Sequence, residues 1–323
     1  MKPPRQNPGS ALKKWGAAAT VLTGLCLLIL FLTSSKHNET AVQIRQTAVT
    51  YLGGQATSNS KPSFNIDPYP FMGPIVWSAI HARMQAEYTM NGAVPVTEAF
   101  YNDYVPDASL PVWSTDTINQ WVGLVQAKST DFGTYGKQAI ADIMSAFDAH
   151  PVKGKTVLVV GSITPWAEAI VIAYGAAQVY TVDFNKPICD DFRIITMDIA
   201  ELDASTMTYD VVLSFSSLEH DGLGRFGDPM HPHGDIERVK RIKTLVKKDG
   251  GLFFLAVPTG KDHLVFNAHR VYGRKRLALL FEGWEVMGIY DDKTYSESVW
   301  DSPYTCTNVA EPCPQPVHVL RLL

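Results

Sequence analysis

Apolar and polar positions change period repeatedly from about residue 134 to residue 323, and this predicts a regular succession of helices and strands. Short β-branched runs predict strands at 157–160, 178–182, 193–197, 209–215, 252–257, 284–290 and 317–323. Apolar residues spaced three or four apart predict helices at 134–149, 166–174, 235–247 and 269–281. Such alternation is typical of an α/β fold whose mainly parallel sheet is flanked by helices.

The residues before 134 have a different composition. Aromatic residues and prolines are frequent at 64–133, and helical spacing occurs only at 75–88 and 116–125. We expect this segment to form a small N-terminal cap on the domain at 134–323. The polar, small residues at 36–63 are typical of a stem.

An uncharged apolar segment, 15–35, follows a basic leader at 1–14. Its apolar centre reaches the lower length limit of a transmembrane helix at about 1.5 Å per residue. The positive-inside rule keeps the leader cytoplasmic and predicts a type II single-pass protein. Its body would then lie in the Golgi or endoplasmic reticulum lumen, or outside the cell. A cleavable signal peptide and a buried helix are the alternatives, and the long polar leader favours an anchor.

A glycosylation acceptor and a pair of cysteines agree with an exported body, and the charge balance argues against nucleic acid as a partner. The chain carries 28 basic and 32 acidic residues, a net charge of −4, which offers no footprint for nucleic acid. Asn38-Glu39-Thr40 is an N-glycosylation acceptor soon after the apolar segment. Cys306 and Cys313 lie close together in a Pro-rich segment, where they form either a disulfide in an oxidising compartment or two free thiols.

The first strand–helix–strand unit of the domain carries a candidate nucleotide site. Its first strand ends at Gly161 and its second ends at Asp183, 22 positions later. In such units glycine lets the backbone approach the ligand, and the acid accepts hydrogen bonds from ribose hydroxyls. Ser162, Ile163 and Pro165 fill a turn that usually contains more glycine, so the pyrophosphate of NAD fits this turn badly.

The order of motifs resembles that of class I S-adenosylmethionine-dependent methyltransferases, which have a Rossmann-like sheet of seven strands. The resemblance covers about 134–323 and includes 245–252, which is similar to the family's helix–Gly-Gly–strand step. It implies S-adenosylmethionine as the cofactor, with Asp183 on the ribose and Asp198 near the adenine. The cofactor-binding positions that the resemblance implies are Gly161, Ser162, Asp183, Asp198 and Ser216.

Three shorter stretches narrow this resemblance. Pro258-Thr259-Gly260, the segment 266–273 and the loop at Met230 are similar to an uncharacterised family first catalogued in Caenorhabditis, for which no activity is settled. The first turn departs from the wider pattern. Val159 and a single Gly161 stand where the methyltransferases have an acid and two or three glycines.

The loop after the strand at 209–215 supplies the candidate catalytic residues His220 and Glu219. Methyl transfer to an oxygen atom needs a proton acceptor within hydrogen-bond reach, and histidine titrates near neutrality. The alternative is that Glu219 and His220 cap the loop or contact the cofactor backbone.

Later histidines are candidates for metal or substrate binding. Asp228, His231 and His233 form a His-x-His set beside an acid, which suits a divalent metal that lowers the pKa of an alcohol. A lid whose histidines bind substrate is the alternative. His269 and Arg270 follow the next strand, where ligands bind in such sheets. Arg270 either faces the acceptor or pairs with a carboxylate at a helix end.

The sequence therefore predicts an α/β protein with a Rossmann-like, seven-stranded sheet, an N-terminal transmembrane helix and a small cap. The first functional hypothesis is a membrane-anchored methyltransferase that modifies an oxygen atom of a glycan or another small molecule of the secretory pathway. The second is a non-catalytic binding or scaffold protein that retains the same fold.

Overall fold

Strands and helices alternate through the computed structural model, which describes residues 76–104, 109–291 and 313–323. Its strands are β1 (Val96–Glu98), β2 (Val112–Trp113), β3 (Thr156–Val160), β4 (Gln178–Val182), β5 (Ile188–Cys189), β6 (Ile194–Met197), β7 (Val211–Phe215), β8 (Leu252–Ala256), β9 (His263–Phe266), β10 (His269–Val271), β11 (Trp284–Tyr290) and β12 (Val317–Leu322). Its helices are α1 (Ala82–Tyr88), α2 (Thr115–Gln126), α3 (Gly136–Ala149), α4 (Trp166–Ala173), α5 (Ile199–Ala204), α6 (Gly234–Leu245) and α7 (Arg274–Leu280).

Seven strands form one sheet in the order β11-β12-β8-β7-β3-β4-β6. Neighbours pair in parallel from β8 to β6, whereas β12 runs antiparallel to both β8 and β11. This order confirms the predicted Rossmann-like, seven-stranded and mainly parallel sheet with a terminal hairpin. The strand order reverses beside β3, and ligands bind outside the carboxyl ends of strands at such a switch point.

The central strands are buried on both faces, as their continuous apolar runs require. In β3, Val157 and Val159 pack in one cluster with α2, α3 and α4. Leu158 and Val160 point the opposite way and pack with α5, α6 and α7. Helices therefore cover both faces, and the loops that follow the strands meet at one edge of the sheet.

Two predicted elements differ locally from the structure. The predicted helix at 269–281 is wrong in its first part, because His269–Val271 forms β10, antiparallel to β9. The segment 75–88 divides into a 3-10 turn and α1, whose first turn begins at His81. Helix α5 was not predicted. Asp198 is its N-cap, and the side chains of Asp198 and Glu201 each accept the backbone N–H of the other residue in a capping box.

The stretch predicted as a cap packs on the domain in two places. β1 pairs in parallel with β9, and Tyr88 packs edge to face on Phe266 in a third apolar cluster. Trp113 and Ile118 are buried instead in the cluster that covers one face of the large sheet. Residues before 134 therefore contribute to the core of the domain they precede.

The predicted leader, anchor and stem lie outside the described residues. Within the ranges that the structure describes, no helix is long and apolar enough to span a bilayer. Cys313 is disulfide-bonded and Cys189 is a free thiol. Cys306, the predicted partner of Cys313, also lies outside the described residues.

Helix α4 buries one carboxyl group beneath the turn that follows β3. The two carboxylate oxygens of Glu168 accept hydrogen bonds from Ser162 Oγ at 3.0 Å and Thr181 Oγ1 at 2.9 Å. Burial raises the pKa of Glu168 to about 7, although these hydrogen bonds act in the opposite direction. The side chain therefore joins the first turn, α4 and β4 in one buried polar cluster.

We expect Glu168→Gln to stabilise the protein more at pH 8 than at pH 5. The folded protein keeps the Glu168 proton up to about pH 7, whereas the unfolded chain releases it near pH 4.5. The wild-type free energy of unfolding therefore falls between these values, by at most about 1.4 kcal/mol per pH unit from this group. Chemical unfolding of both proteins at the two pH values measures the difference, and an equal difference at both contradicts the raised pKa.

Candidate functional site

A cavity of about 260 Å³ lies at the carboxyl ends of β3, β4 and β7. Its wall is lined by Thr134, Tyr135, Gly161, Ser162, Ile163, Trp166, Asp183, Phe184, Ser216, Ser217, His220, Asp221, Arg225, Phe226 and Asp228. Four predicted cofactor-binding residues, Gly161, Ser162, Asp183 and Ser216, and the candidate base His220 are therefore brought together. Asp198 is not on this wall, because its side chain accepts the backbone N–H of Glu201 and caps α5.

The turn after β3 fits only glycine at its first position. Gly161 has φ +79°, and a Cβ atom there would lie 2.0 Å from Ser217 Oγ. The next N–H, of Ser162, donates to Asp183 Oδ2 at 2.9 Å, and the N–H of Asn185 donates to Oδ1 at 2.7 Å. These bonds fix the Asp183 carboxyl group on the cavity wall.

The charge of Asp183 follows from two opposing effects. Burial raises its pKa to about 6, against the lowering effect of the two backbone N–H groups. The carboxylate is therefore mostly ionised near pH 7. Each of its oxygens still has a lone pair for a ligand hydroxyl, because a carboxylate accepts about four hydrogen bonds.

Two hydrogen-bonded polar side chains, Ser216 and Glu219, lie where β7 ends. Ser216 has φ +51°, a left-handed conformation that turns the chain sharply out of the strand. Its Oγ donates to Glu219 Oε1 at 2.6 Å. Glu219 Oε2 is buried and has no hydrogen-bond partner among the residues described. Burial raises the pKa of Glu219 to about 7, so the group is poised between its charged and neutral forms at neutral pH.

The hydrogen bonds of His220 define its basic nitrogen. Nδ1 lies 2.6 Å from the carbonyl oxygen of Ala268, and because a carbonyl only accepts, Nδ1 carries the proton. Nε2 is then the unprotonated nitrogen, 3.7 Å from Glu219 Oε1. Burial, with the Arg225 guanidinium, lowers the pKa of His220 to about 3. The imidazole is neutral at pH 7 and in the form that accepts a proton, although its basicity there is weak.

An aromatic wall of the cavity is missing from the predicted site. Tyr135 and Trp166 line it, and the Phe215 ring packs against both of them, with the three ring centroids 5.1–5.3 Å apart. Tyr135 also donates its hydroxyl to the carbonyl oxygen of Ser216 at 3.4 Å. No motif identifies these rings in the sequence. Phe184, in contrast, directly follows Asp183 and could have been inferred from that position.

Arg225 connects the N-terminal segment to the cavity. Its Nε donates to Asp103 Oδ2 at 2.6 Å, and its guanidinium lies 4.8 Å from the centre of the Tyr101 ring. The same guanidinium lies 5.1 Å from the centre of the Phe226 ring. Residues 101–103 of the predicted cap are therefore attached to the loop that forms the cavity wall.

Arg270 lies beneath this loop and not on the cavity wall. It is 1% exposed, and its guanidinium donates to the carbonyl oxygens of Glu219, Asp221 and Pro232 at 3.3, 2.6 and 3.3 Å. Arg270 Nε lies 3.8 Å from Asp235 Oδ1, at the start of α6. Of its two predicted roles, the structure shows the pairing with a helix-end carboxylate.

A second buried arginine completes the ionic cluster. Arg276 forms two hydrogen bonds with the Asp235 carboxylate, at 2.8 and 2.6 Å, and Tyr272 donates to the same group at 2.9 Å. Although burial opposes it, the guanidinium groups of Arg270 and Arg276 hold the pKa of Asp235 well below its usual value. Asp235 therefore stays ionised and anchors the loop to α6 and α7.

The predicted metal ligands make other contacts. Asp228 accepts hydrogen bonds from three backbone N–H groups of its own loop, at 2.7, 3.1 and 3.2 Å. His231 Nδ1 accepts the backbone N–H of His233 at 3.1 Å. No group of three His, Cys, Asp or Glu side chains that could hold a metal occurs in the described ranges. His269 lies near the cavity, with its ring 6.5 Å from that of His220.

Comparisons with known proteins place the chain in a family. No curated protein matches the sequence. Similar solved structures include an S-adenosylmethionine dependent methyltransferase from Mesorhizobium loti, which is 14% identical to this chain and has a TM-score of 0.34. The match covers 55% of this chain and 96% of that protein. Mitomycin 7-O-methyltransferase is 11% identical, with coverages of 57% and 55% and a TM-score of 0.35.

The chain spans about half the length of some of these structures, as in the 48% covered of a Streptococcus mutans protein that is 13% identical, with a TM-score of 0.36. Residues 154–321, just over half of the chain, match the family described as Caenorhabditis protein of unknown function, DUF268. This chain therefore belongs to that family.

Proposed function

We propose that this protein is a membrane-anchored, S-adenosylmethionine-dependent methyltransferase that modifies an oxygen atom of a glycan or another secretory-pathway acceptor. The observation that carries the proposal is the cavity formed by Gly161, Asp183 and His220 at the carboxyl ends of β3, β4 and β7. It lies beside the switch point of a seven-stranded sheet whose order is that of the class I enzymes.

The residues of this cavity fit the cofactor in kind. Asp183 would accept the ribose hydroxyls, because its fixed, ionised carboxylate retains free lone pairs. Phe184 offers an aromatic face beside it for a purine ring. The backbone of Gly161 and Ser162 and the turn at Ser216 would hold the amino-acid part. The cofactor supplies an electrophilic methyl group on a sulfonium, and the protein's contribution is chiefly to position the acceptor.

His220 would take the proton of the acceptor hydroxyl at Nε2. Its Nδ1–H is held by the Ala268 carbonyl, so the imidazole keeps one tautomer and one orientation. Glu219 stands 3.7 Å from Nε2 and, when ionised, would stabilise the imidazolium that forms. Ser216 fixes the position of Glu219 by its short hydrogen bond. The alternative is that Glu219 and His220, from these same positions, contact the cofactor backbone and do not accept the proton.

A non-catalytic binding protein is the second candidate function. Two observations favour it. The turn after β3 contains a single glycine, Gly161, where the methyltransferases have two or three. The cavity, at about 260 Å³, is smaller than the roughly 300–1,000 Å³ usual for small-molecule sites.

The luminal location is supported by chemistry that favours an oxidising compartment. Cys313 is disulfide-bonded, and such bonds persist mainly in exported proteins. The basic leader at 1–14 and the apolar segment at 15–35 give the orientation. In this proposal, residues 15–35 span the bilayer and anchor the protein in it.

Calorimetry of the full chain with S-adenosylmethionine tests the cofactor. We expect the wild type to bind and Asp183→Asn to lose at least tenfold in affinity, because a hydrogen bond to a charged group contributes about 1.5–3 kcal/mol. Asp198→Asn is the matched control and should bind as the wild type does, since Asp198 caps α5 outside the cavity. No heat with a folded wild type would favour the binding-protein alternative. Loss of affinity in the control alone would place the cofactor elsewhere.

Protease protection in intact microsomes tests the orientation. We expect an epitope tag placed after Leu323 to survive protease until detergent opens the membrane, because the basic leader holds the N-terminus in the cytoplasm. Alkaline carbonate should leave the chain in the membrane pellet if 15–35 is an uncleaved anchor. Release into the supernatant would instead identify a cleaved signal peptide, and a tag digested without detergent would reject the luminal body.

A further inference from the structure

The side chain of Ser162 lies between two acceptors in the turn after β3. Its Oγ is 3.0 Å from the carbonyl oxygen of Thr164 and also 3.0 Å from Oε2 of Glu168. A hydroxyl group has one hydrogen to donate, and a backbone carbonyl only accepts. Ser162 therefore cannot donate to both groups at once.

The proton of Glu168 decides how these groups are satisfied. When Glu168 is protonated, its O–H donates to Ser162 Oγ, and Ser162 donates in turn to the Thr164 carbonyl. Oε1 still accepts the hydroxyl of Thr181 at 2.9 Å. When Glu168 is ionised it only accepts, so the Ser162 hydrogen turns to Oε2 and the bond to Thr164 is lost. The neutral form thus makes one more hydrogen bond than the charged form.

The surroundings of Glu168 favour the neutral form. Burial, and to a smaller extent the nearby Asp183 carboxylate, raises the pKa of Glu168 to about 7, so both forms occur near neutral pH. Helix α2 and strands β3 and β4 pack against α4. The one charged residue of these three elements, Asp116, is exposed. Burial also raises the pKa of the Cys189 thiol close by, so that group is uncharged.

The turn that Glu168 supports forms part of the cavity wall. Ser162 and Ile163 line the cavity, and the Ser162 N–H donates to Asp183 Oδ2 at 2.9 Å. On its outer side the turn is held by Trp113, whose indole N–H donates to the Ile163 carbonyl oxygen at 3.1 Å. Loss of the bond between Ser162 and Thr164 therefore loosens a segment that faces a bound ligand.

We propose that Glu168 is a positioning residue of the candidate cofactor site. Its proton keeps Ser162 on Thr164 and the turn in the form that binds the cofactor, and loss of this proton weakens binding. This inference rests on the proposed cofactor site and deepens it, because it adds regulation by pH from a residue outside the cavity wall. Glu168 limits binding on the alkaline side, whereas protonation of Asp183 limits it on the acid side.

Calorimetry of the full chain with S-adenosylhomocysteine between pH 6.5 and pH 8.5 tests this role. We expect the wild-type affinity to fall by about threefold or more, within the limit of about tenfold per pH unit for one proton. Glu168→Gln should lose most of this fall, because its amide donates to Ser162 and its oxygen accepts from Thr181 at either pH. Glu237→Gln, an exposed glutamate of α6 outside the cavity, should behave as the wild type does.

A measurement without ligand separates this inference from the cofactor proposal. Tryptophan-selective isotope labelling and NMR of the full chain follow the indole N–H of Trp113, and a Trp113→Phe sample assigns its signal. We expect the signal to shift with a midpoint near pH 7 in the wild type and to keep its pH 6.5 position in Glu168→Gln. Ser162→Ala should also abolish the shift, because it removes the link between Glu168 and the turn.

The outcomes distinguish positioning from a purely structural role. A shift that persists in Ser162→Ala reports only the charge nearby and overturns the inference, as does a wild type without a shift. Binding of S-adenosylhomocysteine with the same pH dependence in Glu168→Gln and the wild type also overturns it, even if the free energy of unfolding depends on Glu168. The expected shift without binding at any pH rejects the cofactor proposal and leaves the response of the turn to pH intact.

Discussion

Parallel pairing of β3 with both β4 and β7 is the constraint on which the fold and the candidate site depend. Val160 pairs with Val182 on one side and Ser214 on the other, so the three strands end at nearly the same level. The residues that follow, Gly161 and Asp183 among them, must then begin their loops at one edge. Parallel strands also need crossover connections, and these place helices on both faces. One pairing pattern therefore produces the buried core and the polar cavity together.

The loop after β7 needs a different kind of support, because it forms no ladder with the sheet. Arg270 and Arg276 provide it from below, by donating to loop carbonyl oxygens while Asp235 balances their charge. A guanidinium has five donors and no acceptor, so it can hold several carbonyl groups at once. Removing one partner of such a buried group typically costs about 3–5 kcal/mol, since it leaves an uncompensated charge. His220 and Asp228 occupy defined positions on the loop because this cluster lies beneath it.

Sequence reasoning succeeded where one local pattern determines the outcome. The period-two and continuous apolar runs predicted the strands, and the order of strands and helices predicted the sheet. Asp183 and His220 lie in the cavity as expected, because each follows a strand that the pattern identifies. The strand at His269–Val271 was missed because three residues are too few to show a period, and only pairing with β9 defines it.

The roles of individual polar side chains depend on partners far away in the chain, which no spacing reveals. Arg270 follows a strand as a substrate-binding residue would, yet carbonyl groups some 40–50 positions earlier bind it in the interior. Asp228 and His231 have the spacing of metal ligands, but backbone N–H groups of the same loop donate to them. Glu168 stands in an apolar helix, and its hydrogen bonds with Ser162 and Thr181 explain its burial there. Polar residues next to strands were thus easier to locate than to interpret.

The buried acids also suggest how the site would respond to a cationic ligand. Burial raises the pKa of Asp183 to about 6 and those of Glu219 and Asp221 to about 7, so near neutral pH Asp183 is mostly ionised and the other two carboxyl groups are about half ionised. A positive charge in the cavity would lower all three pKa values, because it favours the charged form of each carboxyl group. A sulfonium would therefore be bound with release of protons, whereas its neutral thioether product would not produce this effect. The same groups, which burial makes costly to ionise, would then favour the sulfonium form of the proposed cofactor over its thioether product.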